Sequence, residues 1–183
     1  MRLEPIEKPK GLMMRLAYFF MRRQFGKVMT PMKVIVARMP GSEKLSYEIA
    51  KFQLKGISLD HSLHYMIGLL AAQINGCGFC VDLGRSVAIR ERISMEKFDK
   101  LMDYRNSPLF SARERAALAY AEEATRHKRV SDATFEELRK HFNEREIVEI
   151  TWVNAIEIYF NLLNFPLEIE SDGFCEIAKM RAA

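Results

Sequence analysis

The sequence predicts an all-helical fold in a single domain, and three observations carry that reading. Helix-forming Leu, Ala, Met, Glu, Lys and Arg dominate, with only 9 glycines and 6 prolines. Two capping-box pairs, Ser111 with Glu114 and Asn143 with Glu146, mark helix starts in the second half. No Ser/Gly-rich or Pro-rich linker interrupts the 183 residues, of which 49% are apolar, enough for one substantial core and short for two domains.

In chain order, Leu12 to Phe25 forms a helix whose Leu12, Leu16, Phe19 and Phe20 share a face, and Pro31, Pro40 and Gly41 punctuate a shorter helical piece. Ser42 or Glu43 opens a helix towards Gly56. Ser58 is the expected N-cap of Leu59 to Ile74, which is apolar almost all round and therefore the buried central helix. The turn Asn75-Gly76 ends it, and a new helix runs from Cys77 to about Arg92 on the period Phe79, Leu83, Val87. Ser94 caps a short helix through Met102, Ser111 one to about His127, Asp132 to Phe142 fills the gap, and Asn143 opens a long helix that Pro166 stops. The division expected is a basic amphipathic segment, residues 1–30, packed on the domain or a partner subunit, followed by the helical domain, 31–183.

Of the net charge of +4, the first 40 residues hold nine Lys/Arg against two Glu, so the basic part is N-terminal. Tyr18, Phe19, Phe20 and Phe25 lie among these charges, and the favoured reading is a docking segment with a solvated basic face. Contact of residues 12–25 with a membrane surface is the lesser alternative, and nucleic acid is not expected because no binding motif accompanies the charge. No apolar run is long enough to cross a bilayer, and Arg15 breaks the one stretch that resembles a leader, so a cytoplasmic setting is expected.

Chemistry concentrates at Cys77-Gly78-Phe79-Cys80. A cysteine attacks peroxides or disulfides as a thiolate, and an unperturbed thiol near pKa 8.5 is mostly protonated at neutral pH. Helix N-termini favour the thiolate through unpaired N–H groups, and a two-residue spacing lets the second thiol resolve the oxidised first. Redox chemistry, half a zinc site and two small buried residues are the three readings of such a pair. His61 and His64 would complete a zinc set, but on an unbroken helix His61 lies about 20 Å from its end, so the ligands cannot converge within one chain.

The stretch Ala71 to Asp82, AAQINGCGFCVD, resembles the alkylhydroperoxidase D-like, carboxymuconolactone decarboxylase-like family. The similarity runs from about Pro5 to Cys175, with further patterns at Arg145 to Glu149 and Asn161 to Asn164. It implies an all-helical protein assembled as a dimer, trimer or hexamer, with a peroxiredoxin-type antioxidant peroxidase activity. It also implies that Cys80 becomes a sulfenic acid and that Cys77 resolves it. The family's decarboxylase branch usually lacks the dithiol, so the pair here argues for redox chemistry. The family's peroxidases also carry a glutamate twelve residues before the first cysteine and a histidine four after the second. Tyr65 and Gly84 occupy those positions, so the usual proton relay is missing. A Tyr65 ring filling the space beside Gly84 would make the two changes a compatible pair.

Other candidates are weaker. His64 points about 100° from Tyr65 on a helix and reads as a surface or interface histidine before a surrogate base. Arg85 would add positive potential, and Asp82 reads as a cap. Cys175 is either inert or a third thiol folded back on the site. Trp152, Tyr159, Phe160 and Phe165 read as core or subunit-contact residues. The function expected is a thiol-dependent peroxidase or disulfide reductase acting on a peroxide or small disulfide, re-reduced by a thioredoxin-like or lipoyl protein. No bound cofactor or metal is needed, since no glycine-rich nucleotide fingerprint is present. A non-catalytic oligomeric module and a lactone enzyme of the decarboxylase type are the alternatives.

Overall fold

Helix α4, His61–Asn75, is apolar enough to be covered on nearly every side, and the fold is arranged around it. The computed structural model describes residues 1–39 and 41–182, among which are ten α-helices and no strand. Helices α1 (Leu12–Phe25), α2 (Thr30–Val34) and α3 (Ser42–Lys55) precede α4. They are followed by α5 (Gly78–Arg90), α6 (Met95–Asp99), α7 (Ala112–His127), α8 (Asp132–Arg139), α9 (Glu144–Asn164) and α10 (Phe174–Ala182). Met66, Ile67, Leu70 and Ala71 of α4 are fully buried between α5, α7 and α9. Burying each of the larger side chains contributes about 1.5–3 kcal/mol.

Both capping boxes form as the sequence implies. Ser111 accepts from the Glu114 N–H and Asn143 from the Glu146 N–H, while each glutamate returns a bond to the cap backbone. The start of α4 differs from expectation. Asp60, not Ser58, is its cap, accepting the Leu63 N–H at 3.1 Å. Ser58 is drawn elsewhere, because the buried carboxylate of Glu149 on α9 accepts the N–H groups of Ser58 and Leu59 at 2.9 and 3.1 Å. Cys77 is the N-cap of α5 rather than its first helical residue, and Ser94 stands at the start of α6 without a side-chain cap bond.

The segment after Pro166 is not a loose tail. After a 3₁₀ turn at Phe165–Leu167 the chain returns along α5 as α10, with Phe174 and Ala178 buried. Phe174, Ile169, Phe79, Val34 and Cys77 form a second small core, joined by Phe25 and Met29 from the N-terminal segment and by Cys80. The anticipated apolar face of α1 is not what holds that helix. Leu12, Leu16, Phe19 and Phe20 stay exposed, while Tyr18 is buried, its hydroxyl donating to the Ile6 carbonyl at 2.9 Å. Trp152, Tyr159 and Phe165 are also partly exposed rather than core, with Trp152 edge-on to Phe52 of α3 at 5.3 Å. No helix among the described residues is long and apolar enough to cross a membrane.

Candidate active site

The turn from α4 into α5 delivers both cysteines to one place. Gly76 takes a left-handed conformation (φ 74°) that a side chain would strain, and this lets the Cys77 N–H return to the Ala72 carbonyl at 2.9 Å. Cys77 and Cys80 are joined by a disulfide, their Cα atoms 5.3 Å apart. Cys77 is 1% exposed and its sulfur accepts the Cys80 N–H at 3.4 Å, whereas Cys80 is half-buried. Cys80 is therefore the more accessible of the two sulfurs.

Helix α9 covers the pair with amides. The Asn161 side chain donates to the Cys80 sulfur at 3.1 Å, and that of Asn164 reaches Cys80 at 3.5 Å and Cys77 at 3.8 Å. Asn161 is fully buried and every polar atom of its side chain is used. Its oxygen accepts from the Asn75 amide at 2.8 Å, and its nitrogen also donates to Glu157 at 2.7 Å. These bonds fix the amide with its nitrogen towards sulfur. Donors in this position favour negative charge on Cys80, since hydrogen bonds to a charged group are worth about 1.5–3 kcal/mol.

Glu157 is the site's unexpected member. Its other oxygen faces Gly68 of α4, where a Cβ would lie 3.6 Å away. Burial pushes its carboxyl up to about 7, against a smaller lowering by the Asn161 amide. Among the described residues no Lys, Arg or His lies within ion-pair distance of it. A carboxyl that burial holds near neutrality, joined to Cys80 through one amide, can take up and release a proton at physiological pH.

The supporting residues expected from sequence lie elsewhere. Tyr65 packs its ring against His61 and His64, with centroids 4.8 and 5.3 Å away, and burial together with Glu91 raises its phenol. It does not fill the space at Gly84, where the one side chain within 4 Å of an added Cβ is Leu69, at 3.3 Å. His64 shares a hydrogen bond with Gln53 of α3 at 3.2 Å, and burial lowers it to about 4. Arg85 pairs with Asp99 of α6, which raises its guanidinium, and also lies beside the Cys175 sulfur. Cys175 is a half-buried free thiol in the first turn of α10, folded back on α5 but against Arg85. Asp82 does act as a cap, though of α10 rather than of its own helix.

Glu157 is not among the residues singled out from sequence, Asn75 enters there only as a turn residue, and Asn161 and Asn164 enter only as a family pattern. The signal available was the spacing 157, 161, 164, which places three polar side chains on one face of the otherwise apolar second half of α9.

The Carboxymuconolactone decarboxylase family model matches residues 47–123. The uncharacterized protein YnjA of Escherichia coli K12 is 32% identical over the full length of both chains. A protein of unknown function from Agrobacterium tumefaciens, grouped with the antioxidant defence protein AhpD, superimposes with a TM-score of 0.68 at 27% identity, covering 73% of this chain and 92% of its own. An alkylhydroperoxidase AhpD core from Ralstonia eutropha JMP134, an uncharacterized peroxidase-related protein, gives 0.80 at 19% identity, covering 96% and 95%, and shows the same fold. The chain belongs to the AhpD-like, carboxymuconolactone decarboxylase-like family.

Proposed function

We propose that this protein is a thiol-dependent peroxidase or disulfide reductase, with Cys80 as the attacking thiolate and Cys77 as the resolving thiol. The observation that carries the reading is the Cys77–Cys80 pair at the start of α5, with two buried amides of α9 aimed at the more accessible sulfur. The Cys80 thiolate attacks the distal oxygen of a hydroperoxide, the O–O bond breaks, and an alcohol leaves as sulfenic acid forms. Cys77 then displaces water from that sulfur to give the disulfide. A dithiol partner of the thioredoxin-like or lipoyl class returns the pair to thiols, which suits a reducing cytoplasmic setting.

Assembly into a homo-oligomer belongs to the same reading. Val148, Trp152, Tyr159 and Leu162 leave an exposed apolar stripe along the outer face of α9, opposite the site.

The test is stopped-flow oxidation of the reduced protein by cumene hydroperoxide and by lipoamide disulfide, following free thiols. Stoichiometric loss of two thiols in the wild type and of none in Cys80→Ser supports the assignment. A wild-type pair indifferent to both oxidants overturns it.

A further inference from the structure

The reaction proposed above releases an alkoxide that needs a proton, and the family's usual glutamate and histidine are Tyr65 and Gly84 here. We propose that Glu157, entering from α9, is the acid–base group of this centre. The inference rests on the dithiol reading and assigns the proton within it.

The geometry is a short chain of groups. One amide nitrogen, on Asn161, contacts both the Cys80 sulfur at 3.1 Å and the Glu157 carboxylate at 2.7 Å. The carboxylate oxygen is therefore no farther from sulfur than those two contacts laid end to end, a gap that a peroxide O–O group or one water spans. Asn75 holds the amide from its oxygen side, so the nitrogen cannot turn away. From α4 the carboxylate faces Gly68, which adds no competing donor, and from α5 it faces Cys80 across the amide. With the cysteines joined as a disulfide, the one group besides burial acting on its titration is Asn161, on its own helix; reduction adds Cys80 of α5 as a second titrating group.

Such a pair shares one proton, and its titration belongs to the pair rather than to either member. With the proton on Glu157, Cys80 is the thiolate. Sulfur attacks the distal oxygen of ROOH, and the electron pair of the O–O bond goes to RO⁻. Glu157 gives RO⁻ its proton, leaving ROH, Cys80 sulfenic acid and a Glu157 carboxylate. In the second step the carboxylate takes the Cys77 thiol proton as that sulfur attacks. It returns the proton to the departing hydroxide, which leaves as water. Two thiols of the external reductant then restore the dithiol.

Glu157→Gln tests this in the full-length reduced protein, because it keeps the acceptor facing Asn161 and removes the proton. Two electrophiles separate the roles. Iodoacetamide loses iodide, which needs no proton, whereas cumene hydroperoxide loses an alkoxide that does. Expected is a loss of about 10²-fold in peroxide reduction at pH 7, towards the low end for general acid catalysis. The alkylation rate changes far less, and its pH profile loses the step near neutrality that Glu157 imposes on the wild type. Glu157→Asp, which keeps an acid on a shorter arm, recovers part of the peroxide rate. Equal losses towards both electrophiles, or profiles identical to wild type in Glu157→Gln, overturn the proposal. A wild type that alkylates with the two-step profile yet ignores peroxide and lipoamide disulfide instead overturns the dithiol function, leaving the Glu157–Cys80 coupling in place.

Discussion

The carboxylate of Asp82 accepts the backbone N–H of Phe174 at 2.8 Å, so a residue of α5 forms the cap of α10. The same carboxylate takes the Cys175 N–H at 2.8 Å, so two of the donors the helix start leaves open are satisfied, and it also takes the N–H of Asp172, just before the helix, at 3.1 Å. Phe174, placed by this cap, packs on Phe79 in the small core that encloses the dithiol. Asp82→Ala orphans those donors and should cost about 2–3 kcal/mol, above an ordinary cap because the acceptor is charged and buried. Urea unfolding measures the loss, and faster labelling of Cys175 by a thiol reagent in native buffer reports the loosened helix. A midpoint equal to wild type, with Cys175 labelling unchanged, would remove Asp82 from this role.

Glu157 and His64 tie stability to pH with opposite signs. Glu157 has a raised folded value of about 7 against about 4.3 unfolded, so its contribution is fully present in acid and is lost as pH rises through 7. The cost at pH 8 is on the order of 3 kcal/mol. Glu157→Gln should therefore be more stable than wild type at pH 8, by a margin that shrinks to about 1 kcal/mol at pH 5. Guanidinium titrations at the two pH values decide the matter, and a difference that does not grow with pH contradicts the burial of that carboxyl.

His64 does the reverse. Burial holds it neutral, to about 4 in the folded chain against 6.5 when unfolded, so its contribution is present above pH 6.5 and is lost as pH falls towards 4. The amplitude is about 2–3 kcal/mol. Between pH 5 and 7 the two slopes largely cancel, so wild-type stability should vary little with pH. Each single variant uncovers the other's slope: Glu157→Gln weakens as pH falls from 7 to 5, and His64→Gln weakens as pH rises from 5 to 7. Parallel stability–pH curves for the three proteins would show that neither group is buried as described.

How much of this was legible in the sequence follows the range of the interactions. Local signals read correctly: the capping boxes at Ser111 and Asn143, the turn at Asn75-Gly76 and the apolar α4 all depend on neighbours a few residues apart. The cap of α4 was misplaced because Ser58, a good local candidate, is engaged by Glu149, 91 residues away. Helix α10 was invisible for the same reason, its cap lying 92 residues upstream in Asp82. Glu157 stands alone between Ile156 and Ile158, and its value comes from Gly68, Asn161 and Cys80 meeting there, a convergence of three helices that no window along the chain contains. The Tyr65–Gly84 pairing failed through side-chain direction. Tyr65 packs with the histidines of its own helix, while Leu69, one turn later, covers the glycine.

The two amides over the dithiol differ in how closely they hold Cys80, and their removal should differ accordingly. Asn161→Ala deletes the 3.1 Å contact and also leaves Asn75 and Glu157 without a partner. Asn164→Ala deletes a 3.5 Å contact to Cys80 and a longer one to Cys77. With about 1.5–3 kcal/mol for a donor to a charged acceptor, Asn161→Ala should slow alkylation of the reduced protein by iodoacetamide at pH 7 by about 10–100-fold. Asn164→Ala, at the weaker geometry, should slow it by roughly threefold to tenfold. Asn161→Ala should also cost about 2 kcal/mol of stability for the stranded polar groups, a penalty Asn164→Ala largely escapes. Raising the pH until the thiolate forms without help should bring all three rates together. A deficit that persists there would mean that the amides shape access to Cys80 rather than its charge.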